Sequence, residues 1–297
     1  MKPVLAALFA ALLLFGCIQQ PAVTEGNVNA SAKEYEVNST GFLHYFLSTP
    51  NYSISQGVEA NGSTWYNVSF QSAGFMVYGL LRVPNGVSKP KAVLLLPGAM
   101  VKKEDEQGSL GRKLSEWGFA SLAIDARGVG ESRFPRLSMD FDFQAFSKGG
   151  EPVQHLMVRD AIAAYKVLQK IPEVDASHAV IVGESLGGRL AVIAAAVEPS
   201  VAGVVAVSAG AYGFPAEGEA KRFVDSFEPV HYAALVAPRE LVFVHCSGDS
   251  GVPVSAGRKI FDAAIEPKKF IEVNCSIHGY RPEMDVDLER ELGRLNR

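Results

Sequence analysis

The stretch VIVGESLGGRLAVIAAA, Val180 to Ala196, constrains this chain more than any other. Val180 to Gly183 closes an apolar, β-branched run that reads as a buried strand. Leu186 to Val197 reads as a helix rich in Ala and Leu. Between them stands Gly183-Glu184-Ser185-Leu186-Gly187, the pattern G-x-S-x-G. In a strand-to-helix turn the two glycines remove Cβ atoms where strand and helix nearly collide. The serine then holds a strained conformation with its hydroxyl exposed above the sheet. The plain alternative is a Gly-rich turn without chemistry. What decides between them is whether the rest of the chain supplies a base, an acid and donors for an anion.

The strands around this turn need partners, and the chain has the length for them. Its 297 residues are 48% hydrophobic and 20% charged, enough for one large α/β core with additions. A net charge of -4, with no Lys/Arg cluster of the kind that tracks phosphates, argues against nucleic acid as a partner. No metal-ligand cluster or nucleotide-binding loop stands out, so no cofactor is expected.

The N-terminus reads as an address. Lys2 precedes a continuous apolar run from Val4 to Phe15, which has signal-peptide length and is short for a membrane span. It ends in Leu14-Phe15-Gly16-Cys17, which resembles the lipobox of prokaryotic lipoproteins. That resemblance implies a lipid on Cys17 and anchoring to the outer face of the membrane, although Phe15 stands where a small residue is usual. Ordinary signal cleavage, with a secreted product, is the other reading. Residues 1–17 are thus expected to be a signal segment and residues 18–34 a polar tether, with the folded domain over 35–297. Either route puts the domain outside the cytoplasm.

Along that domain, Thr64–Phe70 and Phe75–Val83 look like paired antiparallel strands. Lys91–Leu96, Phe119–Asp125, His178–Val182, Val201–Val207, Glu240–His245 and Lys269–Cys275 follow as strands. Helices are expected over Gln107–Gly118, Pro152–Ile171, Leu186–Val197, Val254–Ile265 and Pro282–Leu295. Alternation of apolar strands with helices predicts a doubly wound, mainly parallel sheet with helices on both faces, opened by antiparallel strands at its N-terminal edge. Function in such sheets sits beyond the carboxyl ends of the strands.

A serine hydroxyl needs a base, and the base needs a group that fixes its tautomer. After Ser185, the chain offers Asp249 in the turn Cys246-Ser247-Gly248-Asp249 that follows one strand. It offers His278 in Ser276-Ile277-His278-Gly279 after the next. His231 is the rival base. Taken together, the elbow VGESLGG, the loop DARGVGES, the turn GDSGVP, the terminal His-Gly and the order Ser, Asp, His resemble the alpha/beta hydrolase fold superfamily over about residues 75 to 295. Within it the chain is most similar to serine esterases and acyl-peptidases near dienelactone hydrolase, which itself uses Cys where Ser185 stands. The resemblance implies Ser185 as nucleophile, His278 as general base and then acid, and Asp249 as its orienter. It implies an oxyanion hole from the backbone N–H groups of Leu186 and Ala99, with Met100 as the other candidate for the latter. The family's usual His-Gly is Pro97-Gly98 here. Asp125 is implied to brace the Arg-Gly turn that follows it.

Two further features bear on the site. Cys246 and Cys275 each lie three residues before a presumptive site residue. One reading is a disulfide that pins the acid and base loops together. The other is two buried free thiols, because side chains at matching strand positions stand parallel. Insertions at 134–150 and 210–238 carry Phe134, Phe141, Phe143, Phe146, Tyr212, Phe214, Phe223 and Phe227. These rings either line an acyl subsite or pack together as a lid. The expected function is ester hydrolysis through an acyl-enzyme, acting on a small ester or short acyl substrate. The alternatives are an aminopeptidase or acyl-amide hydrolase of the same fold, and a membrane-anchored binding protein without turnover.

Overall fold

The computed structural model of the chain describes residues 34–135 and 138–296. The expected signal segment, Cys17 and the tether as far as Lys33 lie outside the described residues. No described helix is long and apolar enough to cross a membrane.

The N-terminal part is all strand: β1 (Tyr35–Val37), β2 (Leu43–Tyr45), β3 (Tyr52–Ile54), β4 (Val58–Ala60), β5 (Ser63–Ser72) and β6 (Phe75–Pro84). Then β7 (Lys91–Leu96), α1 (Lys103–Gly108), α2 (Leu110–Glu116), β8 (Ala120–Ile124), α3 (Met139–Ser147), α4 (Val153–Leu168), β9 (Asp175–Glu184) and α5 (Leu186–Val197) begin the α/β alternation. It continues through β10 (Gly203–Val207), α6 (Gly218–Asp225), α7 (Pro229–Tyr232), β11 (Glu240–Cys246), α8 (Val254–Ala263), β12 (Lys268–Val273) and α9 (Asp285–Leu295). Among the described residues the main sheet runs in the order β12-β11-β10-β9-β7-β8-β6-β5-β3, with β4 also on β5. Strands β7 to β12 pair in parallel, and β6, β5, β3 and β4 are joined antiparallel.

The reason for the division is in the side chains. β8 and β10 are buried at every residue, and β7 and β11 at all but the first. Such strands need helices on both sides. One side is covered by α4, α5 and α8, through residues such as Val158, Ala161, Leu190 and Ile260. The other is covered by α2 and α9, through Leu110, Leu114, Leu288 and Leu292. The second half of β5 instead alternates buried and exposed positions, which fits one covered face.

The helix expected over Gln107–Gly118 is two helices. The break falls at Ser109, whose φ of -103° and ψ of -106° are not helical. From about Tyr35 to Glu59 aromatic residues alternate irregularly with Ser, Thr and Gly and give no clear pattern; there the chain forms β1 to β4. Helices α3 and α6 lie inside the two insertions and were not legible as helices. α6 is short, and its periodic apolar side is small.

The topology fixes where loops meet. β8 lies on one side of β7 and β9 on the other, so the chain reverses its winding direction there and opens a crevice at the carboxyl ends. Leu96 pairs with Gly183, and Val207 with Glu184. The turn leaving β7 therefore runs beside the end of β9.

Candidate active site

Ser185 stands between β9 and α5 at φ 53° and ψ -110°. A non-glycine residue rarely adopts this backbone, which marks a constrained site. Two neighbours make it possible. A Cβ on Gly187 would overlap the carbonyl of Leu96, and one on Gly183 would overlap the carbonyl of Gly187. Both positions admit only hydrogen. The Ser185 N–H donates to Val207 O at 2.9 Å, tying the turn to β10.

The structure brings the three polar residues together. Ser185 Oγ is 2.8 Å from His278 Nε2, and His278 Nδ1 is 2.9 and 3.1 Å from the two carboxylate oxygens of Asp249. A carboxylate at Nδ1 requires the proton there, so Nε2 carries the lone pair and accepts from the serine hydroxyl. Asp249 is buried and is itself held: its Oδ1 accepts from the N–H groups of Gly251 (2.8 Å) and Val252 (2.9 Å). Burial works against the carboxylate. The Val252 N–H, His278 and the Gly251 N–H together outweigh it, and the carboxyl titrates below its usual range.

The acid and base loops are covalently joined. Cys246 and Cys275 form a disulfide with a Cα separation of 4.8 Å. The free-thiol alternative assumed that the two cysteines stand level on neighbouring strands. They do not: Cys246 is level with Val273, the last residue of β12. Cys275 lies beyond the strand, where the chain has turned and its N–H bonds back to Val273 O.

Leu186 opens α5, and the first N–H groups of a helix have no partner within it. Gly98 lies next to Ser185, so a Cβ there would stand 3.7 Å from Ser185 Cβ. The turn continues through Ala99 and Met100 and is closed by the Val101 N–H to Gly98 O at 3.2 Å, with Met100 at φ 66°. Leu186, next in the chain, and this turn therefore both lie beside the serine.

The remaining singled-out residues lie elsewhere. His231 stacks on Phe42 at 3.9 Å between ring centres, and its Nε2 bonds to Thr40 O. That holds the N-terminal strands against α7 and leaves it no part near Ser185. Asp125 is fully buried and accepts from the Lys103 and Glu131 N–H groups and from Lys103 Nζ (3.0 Å), which braces the turn after β8. The aromatic rings of the two insertions mostly pack on one another: Phe146, Phe223 and Phe227 are buried, with Phe143 and Tyr212 against them. They form a packed aromatic cluster, with Phe141 and Phe214 left exposed.

Sequence reasoning missed two groups around the site. His245, near the end of β11, is buried, donates to Val252 O and lies 3.5 Å from Asp249 Oδ2. Glu184 reaches under the base loop, where its Oε2 accepts the Tyr280 N–H, and Glu106 of α1 is buried; neither has a signal in the sequence beyond Glu184's place in the elbow. Among the described residues no cluster of His, Cys, Asp or Glu is arranged to hold a metal ion.

A family model described as the alpha/beta hydrolase fold matches residues 91–237. The chain is 30% identical over 146 residues to the uncharacterized protein YfhR of Escherichia coli O157:H7, across 46% of this chain and 51% of that protein. It is 29% identical over 161 residues to the uncharacterized protein Rv2307c of Mycobacterium tuberculosis (strain ATCC 25618 / H37Rv), across 52% and 55%. The chain spans about half the length of the curated relatives it matches. Acetyl xylan esterase 1 from Thermoanaerobacterium sp. JW/SL YS485 superposes with a TM-score of 0.68 at 16% identity, over 83% of this chain and 88% of that one. A cold-adapted esterase from an Arctic intertidal metagenomic library superposes with a TM-score of 0.62 at 20% identity, over 82% and 98%. At these identities the likeness to solved structures is one of fold.

Proposed function

We propose that this chain, which belongs to the alpha/beta hydrolase fold superfamily, is a serine hydrolase that cleaves carboxylic esters of small acyl groups through an acyl-enzyme. The observation that carries the reading is the relay from Asp249 through His278 to a serine held at positive φ on the elbow. In the first half-reaction, His278 Nε2 takes the Ser185 proton as Oγ attacks the ester carbonyl. Asp249 stabilises the imidazolium that forms. The carbonyl oxygen gains negative charge in the tetrahedral state and is met by the N–H groups of Leu186 and Ala99. The imidazolium then protonates the departing alcohol. Water, deprotonated by the same ring, attacks the acyl-serine and regenerates Ser185.

Esters are favoured over amides because solved structures of similar fold are named as esterases, acetyl xylan esterases among them. The test is turnover of short-chain esters beside aminoacyl amides, with Ser185→Ala as control. Ester turnover that vanishes in the variant supports the reading. Faster cleavage of the amides would make the protein a peptidase, and no turnover of either would return it to a binding role. The proposal includes an extracytoplasmic place, anchored through a lipid on Cys17. The Cys246–Cys275 disulfide supports that place, since such bonds persist in oxidising compartments.

A further inference from the structure

Directly before the serine, the Glu184 side chain does not point into solvent. Its Oε2 accepts the backbone N–H of Tyr280 at 3.0 Å, two residues past His278. Gly279 leaves it room: a Cβ there would stand 2.5 Å from Glu184 Oε1. Glu184 thus lies under the loop that carries the base. The second carboxyl, Glu106 of α1, is buried, and its Oε1 has no hydrogen-bond partner among the described residues.

A buried carboxyl and a half-buried one whose charges act on each other do not both ionise near neutrality. Their surroundings say which one keeps the proton. Glu184 has an N–H donor and faces His278. Glu106 has desolvation and the Glu184 charge against it, and its carboxyl is pushed well above the usual range. Burial also raises Glu184, while the Tyr280 N–H and His278 pull it back. The groups facing the pair are His278 and Tyr280 from the base loop. Asp249 holds the other edge of the His278 ring, with His245 beside it.

We propose that Glu184 is a positioning residue for the base: it fixes the His278–Tyr280 loop through the Tyr280 N–H, and its carboxylate, lying under that loop against Gly279, favours the imidazolium of His278. The inference rests on His278 being the general base. It adds a second negative group to Asp249, placed behind the serine and not on the far edge of the ring.

The test compares Glu184→Gln with Glu106→Gln. Glutamine at 184 keeps an oxygen for the Tyr280 N–H and removes the charge. Glutamine at 106 resembles the neutral acid already there. The readouts are the pH dependence of fluorophosphonate labelling and the NMR titration of the His278 ring, assigned by its loss in His278→Ala. In Glu184→Gln both midpoints move to lower pH by about one unit. In Glu106→Gln they stay within a few tenths of the wild type. A purely structural role for Glu184 would change the labelling rate without moving the midpoint, and that result overturns the proposal, as does an equal shift in both variants. A folded wild type that is not labelled would defeat the serine-hydrolase reading. The ring titration needs no turnover and would still decide the role of Glu184.

Discussion

Among the described residues, two histidines each hold a serine hydroxyl on Nε2 and an oxygen group on Nδ1. His278 has Ser185 at 2.8 Å and Asp249 at 2.9 Å. His155, in α4, has Ser226 at 2.6 Å and the Tyr35 hydroxyl at 2.6 Å. Distances alone do not separate them. Their surroundings do. The Ser226 hydroxyl donates to Phe223 O, so it can only accept from His155, and its own proton is committed to the backbone. Tyr35 then donates to Nδ1 and offers no negative charge. His155 is fully buried, and burial alone pulls it down to about 3. It is a neutral strut between α4, the turn after α6 and β1. His278 is partly exposed, faces a carboxylate that stays ionised, and meets a serine that has a strained backbone and, among the described residues, no other acceptor. A serine–histidine contact becomes a nucleophile only with charge behind the ring and a free proton in front of it.

The contrast predicts a large asymmetry in function. Ser185→Ala should lower ester turnover by about 10^4-fold or more, whereas Ser226→Ala should leave kcat within a few-fold and lower stability by about 1–3 kcal/mol through the orphaned imidazole. Steady-state kinetics and urea melts on both variants check it. Equal loss of turnover in the two would erase the distinction.

The carboxylate is the next difference. Asp249→Asn removes the charge and lets Nδ1 lose its fixed proton. It should reduce kcat by about 10^3 to 10^4-fold while the fold persists. Tyr35→Phe, the matching change at His155, should have no comparable effect on kcat.

The base loop is also tied covalently, and the His155 region is not. A bond spanning 29 residues of sequence should contribute about 3 kcal/mol to stability by its effect on the unfolded chain. The double variant Cys246→Ser/Cys275→Ser should therefore unfold at lower urea, with labelling of Ser185 retained. Loss of labelling in a folded double variant would mean that hydrogen bonds alone do not hold the two loops.

An effect on stability alone is the pH response of His155. In the unfolded chain a histidine takes up its proton near pH 6.5, and in the fold only near pH 3. Stability from this site is thus complete above about pH 6.5 and falls as the pH drops toward about 3, with a slope of up to about 1.4 kcal/mol per unit. His155→Gln should flatten that part of the stability curve. An unchanged slope would assign it to other groups.

Much of this was readable in the chain. Unbroken apolar runs such as Lys91–Leu96 and Glu240–Cys246 signal burial on both faces, and the elbow and the acid turn each follow such a run, while the base turn follows the edge strand β12. Their order along the chain and the parallel topology bring Ser185, Asp249 and His278 to one edge. The unreadable parts depend on packing between distant segments. Helices α3 and α6 are held by rings meeting across about 80 residues of sequence. Whether Cys246 meets Cys275 depends on where β12 stops. The roles of Glu106, His155 and His245 come from burial and from partners that no local pattern specifies.

The central claim is that Ser185 is the nucleophile of the two histidine-bound serines, and covalent mapping tests it most directly. The soluble domain from about residue 34 is treated with a fluorophosphonate, and the adduct is located by intact mass and peptide sequencing. The account predicts one adduct, on Ser185, absent in Ser185→Ala and strongly slowed in His278→Ala. A folded protein that takes no adduct, or takes it on Ser226, would contradict it.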